Sequence, residues 1–69
     1  MDMRKLVGRN ASRLRDAAGL TQEQLAERSG FSQQYISDLE RGKSNPTVVT
    51  LYELATALGA GVVELVRED

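Results

Sequence analysis

The sequence contains no cysteine, no histidine and no tryptophan, and it has a single proline. Without cysteine the chain can form neither a disulfide framework nor a thiolate metal site, and without histidine it lacks the commonest transition-metal ligand. No stretch approaches the roughly 18 apolar residues of a membrane span, and the N-terminus lacks the apolar segment of a secretory signal. We therefore expect no metal, no cofactor, no small-molecule ligand, no membrane partner and a cytoplasmic location.

Charged residues of both signs are present but unevenly distributed. Up to Asn45 the chain has eight Lys and Arg residues against six Asp and Glu residues, whereas from Pro46 onward one Arg stands against four carboxylates. A net charge of −1 is unfavourable for binding nucleic acid, because phosphate neutralisation dominates affinity for DNA. The distribution predicts a mildly basic front and an acidic back, although ordinary solvated helix faces explain the charges equally well.

The 69 residues, of which 41% are hydrophobic and 28% charged, are typical of one small globular domain spanning residues 1–69. The first segment predicts an amphipathic helix that begins after Asp2, a potential N-cap, and ends near Gly19. Its apolar residues recur at spacings of three and four, which places them on one helical face: Met3, Leu6, Val7, Ala11, Leu14 and Ala18.

The middle of the chain predicts two short helices. Thr21 and Gln24 have the spacing of a capping box, and Gly30 suits the left-handed residue that closes a helix. Ser32 is the predicted cap of the next helix, which ends before Gly42. The inward-facing residues of the pair are Leu25, Ala26, Ile36 and Leu39.

The last segment predicts two more helices after a loop at residues 43–46. Thr47 is the predicted cap of the fourth helix, and Gly59 its stop signal. Gly61 precedes a short fifth helix with Val62 and Leu65 inward. The apolar stripe of the fourth helix comprises Leu51, Leu54, Ala55 and Leu58. Five short helices without an alternating strand pattern predict an all-α fold.

The segment from about Thr21 to Glu40 carries the strongest functional signal. Ala26 is small enough for a second helix to cross close over it, and Gly30 can take the positive φ of a sharp turn. The apolar residues hold the two helices to the rest of the chain. The outer face of the second helix, residues 33–38, is therefore expected to project far enough to enter a DNA major groove, which is about 12 Å wide.

These residues resemble the Xre/Cro/phage-repressor family of helix-turn-helix proteins. The resemblance is carried by L-T-Q-E-Q-L-A-E-R-S-G-F-S-Q-Q-Y-I-S-D-L-E-R-G-K, by the preceding R-L-R-D-A-A-G-L, and by the later P-T-V-V-T-L-Y-E-L-A-T-A-L-G. It covers nearly the whole chain. It implies a compact five-helix, lambda-repressor-like domain with the helix-turn-helix at helices 2 and 3, and a sequence-specific regulator of transcription that binds double-stranded DNA.

The resemblance also implies which residues read bases. Gln33 and Gln34 match the base-reading positions of the family, and a Gln amide can pair bidentately with adenine N6 and N7. Ser37 and Asp38 lie further along the same face. Some relatives carry Gln at the position of Asp38, and a carboxylate can accept from cytosine N4 but repels phosphate. Whether Asp38 contacts DNA stays open at this point.

A second implied set binds phosphates. Gln22 matches a phosphate-holding position at the start of the first motif helix, where the helix dipole also favours an anion. Tyr35 is either a phosphate donor at the groove edge or a half-buried packing residue. The remaining predicted phosphate contacts are Ser32 and the residues that follow the recognition helix: Arg41, Lys43, Ser44 and Asn45.

Two further predictions concern architecture. Arg15 and Glu40 match family positions that form an ion pair between the first helix and the end of the recognition helix. The resemblance implies that the last helix and the loop before it, residues 59–66, form the homodimer surface. The three valines of this segment are also more apolar than so short a helix needs for internal packing. The predicted interface residues are Tyr52, Val62, Val63 and Val66.

The expected function is recognition of a palindromic operator by a homodimer. Occupancy of the operator would repress by exclusion or activate by contact with polymerase; the sequence leaves both open, and a repressor is the favoured interpretation. An enzyme is not expected, because the chain lacks His and Cys and has neither a Gly-rich phosphate loop nor a metal-ligand spacing. The alternative is a protein-interaction module, such as an antitoxin or a coactivator-like component. A module of that kind would present an apolar or acidic recognition face, whereas this face is rich in Gln and is followed by Arg41 and Lys43.

Overall fold

The computed structural model describes residues 1–68, and this part of the chain forms five helices without a strand. The predicted all-α class is confirmed. Among these residues no helix has the length and apolar character needed to cross a membrane. The helices are α1 (Met3–Ala17), α2 (Gln22–Ser29), α3 (Gln33–Glu40), α4 (Val48–Leu58) and α5 (Val62–Val66).

Local capping interactions determine where the helices begin. The four predicted N-cap side chains each accept a hydrogen bond from a backbone N–H two or three positions further on; they are Asp2, Thr21, Ser32 and Thr47. The backbone N–H of Thr21 also donates to Gln24 Oε1 at 2.9 Å, which completes the predicted capping box. Gly30 has a φ of +81°, so that α2 turns sharply toward α3.

All five helices contribute to one core. Leu25, Ile36, Leu39, Leu54 and Leu65 are the largest apolar side chains that are fully buried, and burial of each contributes about 1.5–3 kcal/mol. Because Ile36 and Leu39 hold α3 against the body, the opposite face of α3 points toward solvent. The core is completed by the small residues and by Leu58: Ala11, Ala26, Ala55 and Leu58.

The apolar face predicted for α1 extends at both ends beyond the residues that are buried. Met3 is 50% exposed and Ala18 is also exposed. Met3 lies in the first turn of α1, and Ala18 is the C-cap that follows its last residue. The face that packs against the core is the stretch between them, in which Leu6, Val7 and Ala11 are buried.

At Gly8, α1 crosses very close to the C-terminal end of α3. A Cβ atom on Gly8 would lie 2.5 Å from the carbonyl oxygen of Leu39 and 2.8 Å from that of Glu40. Both neighbours are backbone atoms, which cannot rotate away. Glycine is therefore needed at this crossing, and it sets how closely the recognition helix can approach the first helix.

Asn10 connects α1 to the end of α5. Its side chain is completely buried, and Nδ2 donates to the carbonyl oxygens of Leu65 and Arg67 at 2.9 and 3.0 Å. Carbonyl groups at the end of a helix lack intrahelical partners, and Asn10 supplies one for this end. The buried amide of Asn10 therefore fixes the end of α5 on α1, in addition to the packing of Leu65 in the core.

We predict that Gly8→Ala lowers the free energy of unfolding by about 1–2 kcal/mol. Helix propensity alone would favour alanine by about 1 kcal/mol, but overpacking against backbone atoms costs more and reverses the sign. Urea unfolding of the variant measures the effect. Arg9→Ala, at the exposed neighbouring position, serves as control and is expected to stay within about 0.5 kcal/mol of the parent. A Gly8→Ala variant as stable as the parent would contradict the close crossing.

Candidate nucleic-acid interface

The α2–α3 pair presents a polar outer face. Gln33 and Gln34 are exposed, whereas Ser37 and Asp38 are partly buried further along the same helix. Gln34 Nε2 donates to Asp38 Oδ1 at 3.0 Å. The four predicted base-reading residues thus belong to the side of α3 that the core leaves uncovered, and two of them contact each other.

The predicted phosphate contacts at the start of the motif have intramolecular partners. Gln22 is the first residue of α2, and its Nε2 donates to Glu40 Oε1 at 3.1 Å. Ser32 Oγ accepts the backbone N–H of Tyr35 as the cap of α3. Tyr35 is partly buried, and its ring centroid lies 5.1 Å from that of Phe31. The packing role that the sequence left open for Tyr35 is therefore present.

The segment after α3 carries the predicted backbone contacts. Arg41 is exposed, and its Nη2 lies 3.1 Å from Asp38 Oδ1. Lys43 is also exposed, and its backbone N–H donates to the carbonyl oxygen of Asp38 at 2.9 Å. Ser44 is partly buried and Asn45 is exposed. The backbone of the loop is thus attached directly to the last turn of the recognition helix, and the exposed Lys43 follows that helix closely.

Arg15 and Glu40 form a bidentate ion pair beneath this face. Arg15 Nε donates to Glu40 Oε2 at 2.6 Å and Nη2 donates to Oε1 at 3.1 Å, while Nη1 donates to the carbonyl oxygen of Leu20 at 2.7 Å. Only 14% of the Arg15 side chain and 7% of the Glu40 side chain are exposed. The hydrogen bonds with Glu40 raise the pKa of Arg15 against the opposing effect of burial. Arg15 therefore stays charged in the folded protein.

The predicted dimer residues do not lie in one groove. Tyr52 is 64% exposed and lines an open groove between α2 and α4, together with Arg28 and Ala57. Val66 is partly buried and lines a different groove between α1, α4 and the loop at residues 43–47, whereas Val63 is 64% exposed and Val62 packs against the core. Two exposed apolar residues at the start of α4 were missed by the sequence analysis: Val48 and Val49.

Gly8 and Asn10 were also missed, although the sequence contained a signal for each. Glycine inside a helix costs about 1 kcal/mol relative to alanine, which indicates a packing reason for its presence. Asn10 lies four positions after Leu6 and three after Val7, and therefore on the buried face. A polar residue at that register indicates a buried hydrogen bond.

The geometry is that of a helix-turn-helix protein: two eight-residue helices meet at a glycine turn inside a five-helix domain, with the polar face of the second helix outward. Comparisons with known proteins agree. The Helix-turn-helix family model HTH_3 matches residues 12–65. The chain belongs to this family of DNA-binding transcription regulators, and the resemblance to Xre/Cro-type proteins and phage repressors is confirmed.

Three similar proteins illustrate the range of the family. An uncharacterized HTH-type transcriptional regulator of Sinorhizobium fredii, y4dJ, is 71% identical over 66 residues, which are 96% of this chain and 86% of that protein. The immunity repressor protein of Bacillus phage phi105 is 41% identical over 63 residues, 91% of this chain and 44% of that protein. The structure of the restriction-modification controller protein C.AhdI from Aeromonas hydrophila has a TM-score of 0.86 and 40% identity, with 90% of this chain and 94% of that chain covered.

We predict that Glu40→Ala lowers the free energy of unfolding by roughly 3 kcal/mol, because it removes the buried partner of Arg15 and leaves only the exposed carboxylate of Asp16 beside it. Thermal or urea unfolding measures the loss. The double variant Arg15→Met/Glu40→Leu is expected to be more stable than Glu40→Ala, since it removes both charges. Glu27→Ala, which removes an exposed carboxylate from α2, is the control and is expected to have little effect. Unchanged stability and unchanged DNA affinity in Glu40→Ala would contradict this role of the pair.

Proposed function

We propose that this protein is a sequence-specific repressor that inserts α3 into the major groove of a palindromic operator as a homodimer. The observation that carries the proposal is the solvent-facing polar side of α3. Ile36 and Leu39 are buried on one side of the helix, while Gln33 and Gln34 are exposed on the other. A helix held in this way can enter the groove without unfolding any part of the core.

Gln33 and Gln34 are the proposed principal base readers. Each amide has one acceptor oxygen and two N–H donors, which match adenine N7 and N6 in a bidentate pair. Ser37 is the next residue along the face and has a hydroxyl that can donate or accept. The two glutamines lie in the first turn of α3, the end of a recognition helix that contacts base edges in helix-turn-helix proteins.

The proposed phosphate contacts flank α3 at both ends. Gln22 begins α2, where unpaired backbone N–H groups favour an anion. Glu40 holds one N–H of the Gln22 amide, so the second N–H is directed by that contact and can donate to a phosphate oxygen. Ser32 and Tyr35 belong to the same edge. On the other side, exposed Lys43 supplies a positive charge in the loop after α3, together with Arg41, Ser44 and Asn45.

A homodimer is proposed because one recognition helix reads only a few base pairs. Two-fold pairing places two such helices about 34–36 Å apart, one turn of DNA, and so doubles the sequence that is read. The exposed apolar residues Tyr52 and Val63 support a contact between copies through α4 and α5. Val62 and Val66, which are only partly exposed, are secondary members of the proposed contact. Occupancy of such an operator would exclude polymerase from an overlapping promoter.

We predict that loss of a base contact changes the sequence preference, whereas loss of a phosphate contact changes the salt dependence of binding. Selection of bound sequences from random duplexes identifies the preferred site, and binding is then measured at several salt concentrations. Gln34→Ala is expected to relax the preference at one base pair by about tenfold with little change in salt dependence. Lys43→Ala is expected to weaken binding to all sequences and to lower the salt slope by about one. The reverse result, a lowered salt slope for Gln34→Ala and a relaxed base preference for Lys43→Ala, would contradict the roles assigned to these two residues.

We predict that Val63→Glu shifts the protein toward the monomer, because a charge replaces an apolar side chain at the proposed contact between copies. Sedimentation over a range of concentrations, with and without the selected duplex, measures the oligomeric state. Ala17→Glu is the matched control, since Ala17 is exposed at the end of α1 and lies outside the proposed interface. A parent that stays monomeric at high micromolar concentration and on operator DNA would argue against the homodimer.

A further inference from the structure

The recognition helix has an unusual charge pattern for a DNA-binding element. Residues 33–40 contain two carboxylates, Asp38 and Glu40, and no Lys or Arg. Both carboxylates are paired with arginines from outside the helix. Glu40 binds Arg15 beneath the face, and Asp38 binds Arg41 just beyond the end of α3.

We propose that Asp38 is a positioning residue that orients the amide of Gln34, and that it does not itself read a base. This inference rests on the proposed function, since it assigns a role within the same recognition face. The carrying observation is that one oxygen of Asp38, Oδ1, accepts hydrogen bonds from both Gln34 Nε2 and Arg41 Nη2, at 3.0 and 3.1 Å.

The contact with Asp38 selects one of the two orientations of the Gln34 amide. An ionised carboxylate only accepts hydrogen bonds, so it faces the NH₂ side of the amide and repels the oxygen. One N–H of Gln34 is then held by Asp38, which leaves Oε1 and the second N–H. A bidentate pair with adenine requires Oε1 and the N–H on the same side of the amide, so the role assigned to Asp38 is to hold the N–H on the opposite side. The amide is therefore oriented for adenine before DNA is bound.

Arg41 neutralises the charge that would otherwise make a carboxylate on this face unfavourable for DNA binding. An unpaired Asp38 would repel the phosphates that border the groove. The guanidinium of Arg41 balances that charge through one nitrogen, and its side chain is still 55% exposed. Since a guanidinium has five N–H donors, Arg41 can hold Asp38 and contact a phosphate at the same time. The three side chains thus form a connected unit that runs from the base reader Gln34 to the backbone-binding loop.

The test compares the base preferences of the parent, Asp38→Ala, Gln34→Ala and the double variant Gln34→Ala/Asp38→Ala by selection from random duplexes. Asp38→Ala is expected to relax the preference at the same base pair as Gln34→Ala, by about twofold, the size that a Gln–Asp pair on a helix surface contributes. The double variant is expected to be no more relaxed than Gln34→Ala. Asp38→Glu, which keeps an acceptor-only carboxylate four positions after Gln34, is expected to keep more of the parental preference at that base pair than Asp38→Ala.

Glu27→Ala is the matched control, because it removes the same charge from an exposed site on α2. It is expected to leave all base preferences unchanged. The proposal is overturned if Asp38→Ala erases the preference at a different base pair and still does so without Gln34, since Asp38 is then a reader. It is also overturned if Asp38→Ala leaves the profile unchanged, or if Asp38→Glu is as relaxed as Asp38→Ala. A parent that selects no sequence would refute the proposed function itself, whereas a selective parent with these other results refutes only the role of Asp38.

Discussion

The ion pair between Arg15 and Glu40 is the interaction on which the geometry of the recognition face depends. It joins the last turn of α1 to the last residue of α3, and Gln22 Nε2 and the carbonyl oxygen of Leu20 attach the start of α2 to the same pair. Both side chains are largely buried. Because a buried charge without its partner is strongly destabilising, the three helix ends hold their relative positions together.

Two uncharged contacts complete this arrangement. Gly8 lets α1 approach the carbonyl groups at the end of α3, and Asn10, two residues further along α1, binds the end of α5. The first helix therefore positions both the helix proposed to read DNA and the helix proposed to pair two copies. With Ile36 and Leu39 in the core, Gln33 and Gln34 on the other side of α3 face the solvent.

What could be predicted from the sequence was mostly local. Thr21, Ser32 and Thr47 cap helices through contacts within three residues, and Gly30 closes α2 through its own φ angle, so sequence spacing suffices for all of them. The buried side of α3 followed from helical periodicity, and the Arg15–Glu40 pair from a family resemblance. The crossing at Gly8 depends on how two distant helices approach each other, which no local pattern specifies.

The candidate site shows the same division. The position of Gln33 and Gln34 on the outer face was predictable from helical periodicity. The two hydrogen bonds to Asp38 Oδ1 were not, because they depend on the side-chain rotamers that Gln34 and Arg41 adopt in the folded helix. Likewise Tyr52 and Val66 both read as apolar surface, but only the packing of α4 and α5 separates them into two grooves.

The most direct test of the central claim, that α3 inserts its outer face into DNA, is a two-dimensional NMR titration of the side-chain amides with the selected duplex. If α3 inserts into the groove, the side-chain amide signals of Gln33 and Gln34 are expected to change chemical shift strongly, while the signal of the buried Asn10 amide stays unchanged. A complex that forms without a change in the two glutamine signals would contradict the insertion of α3.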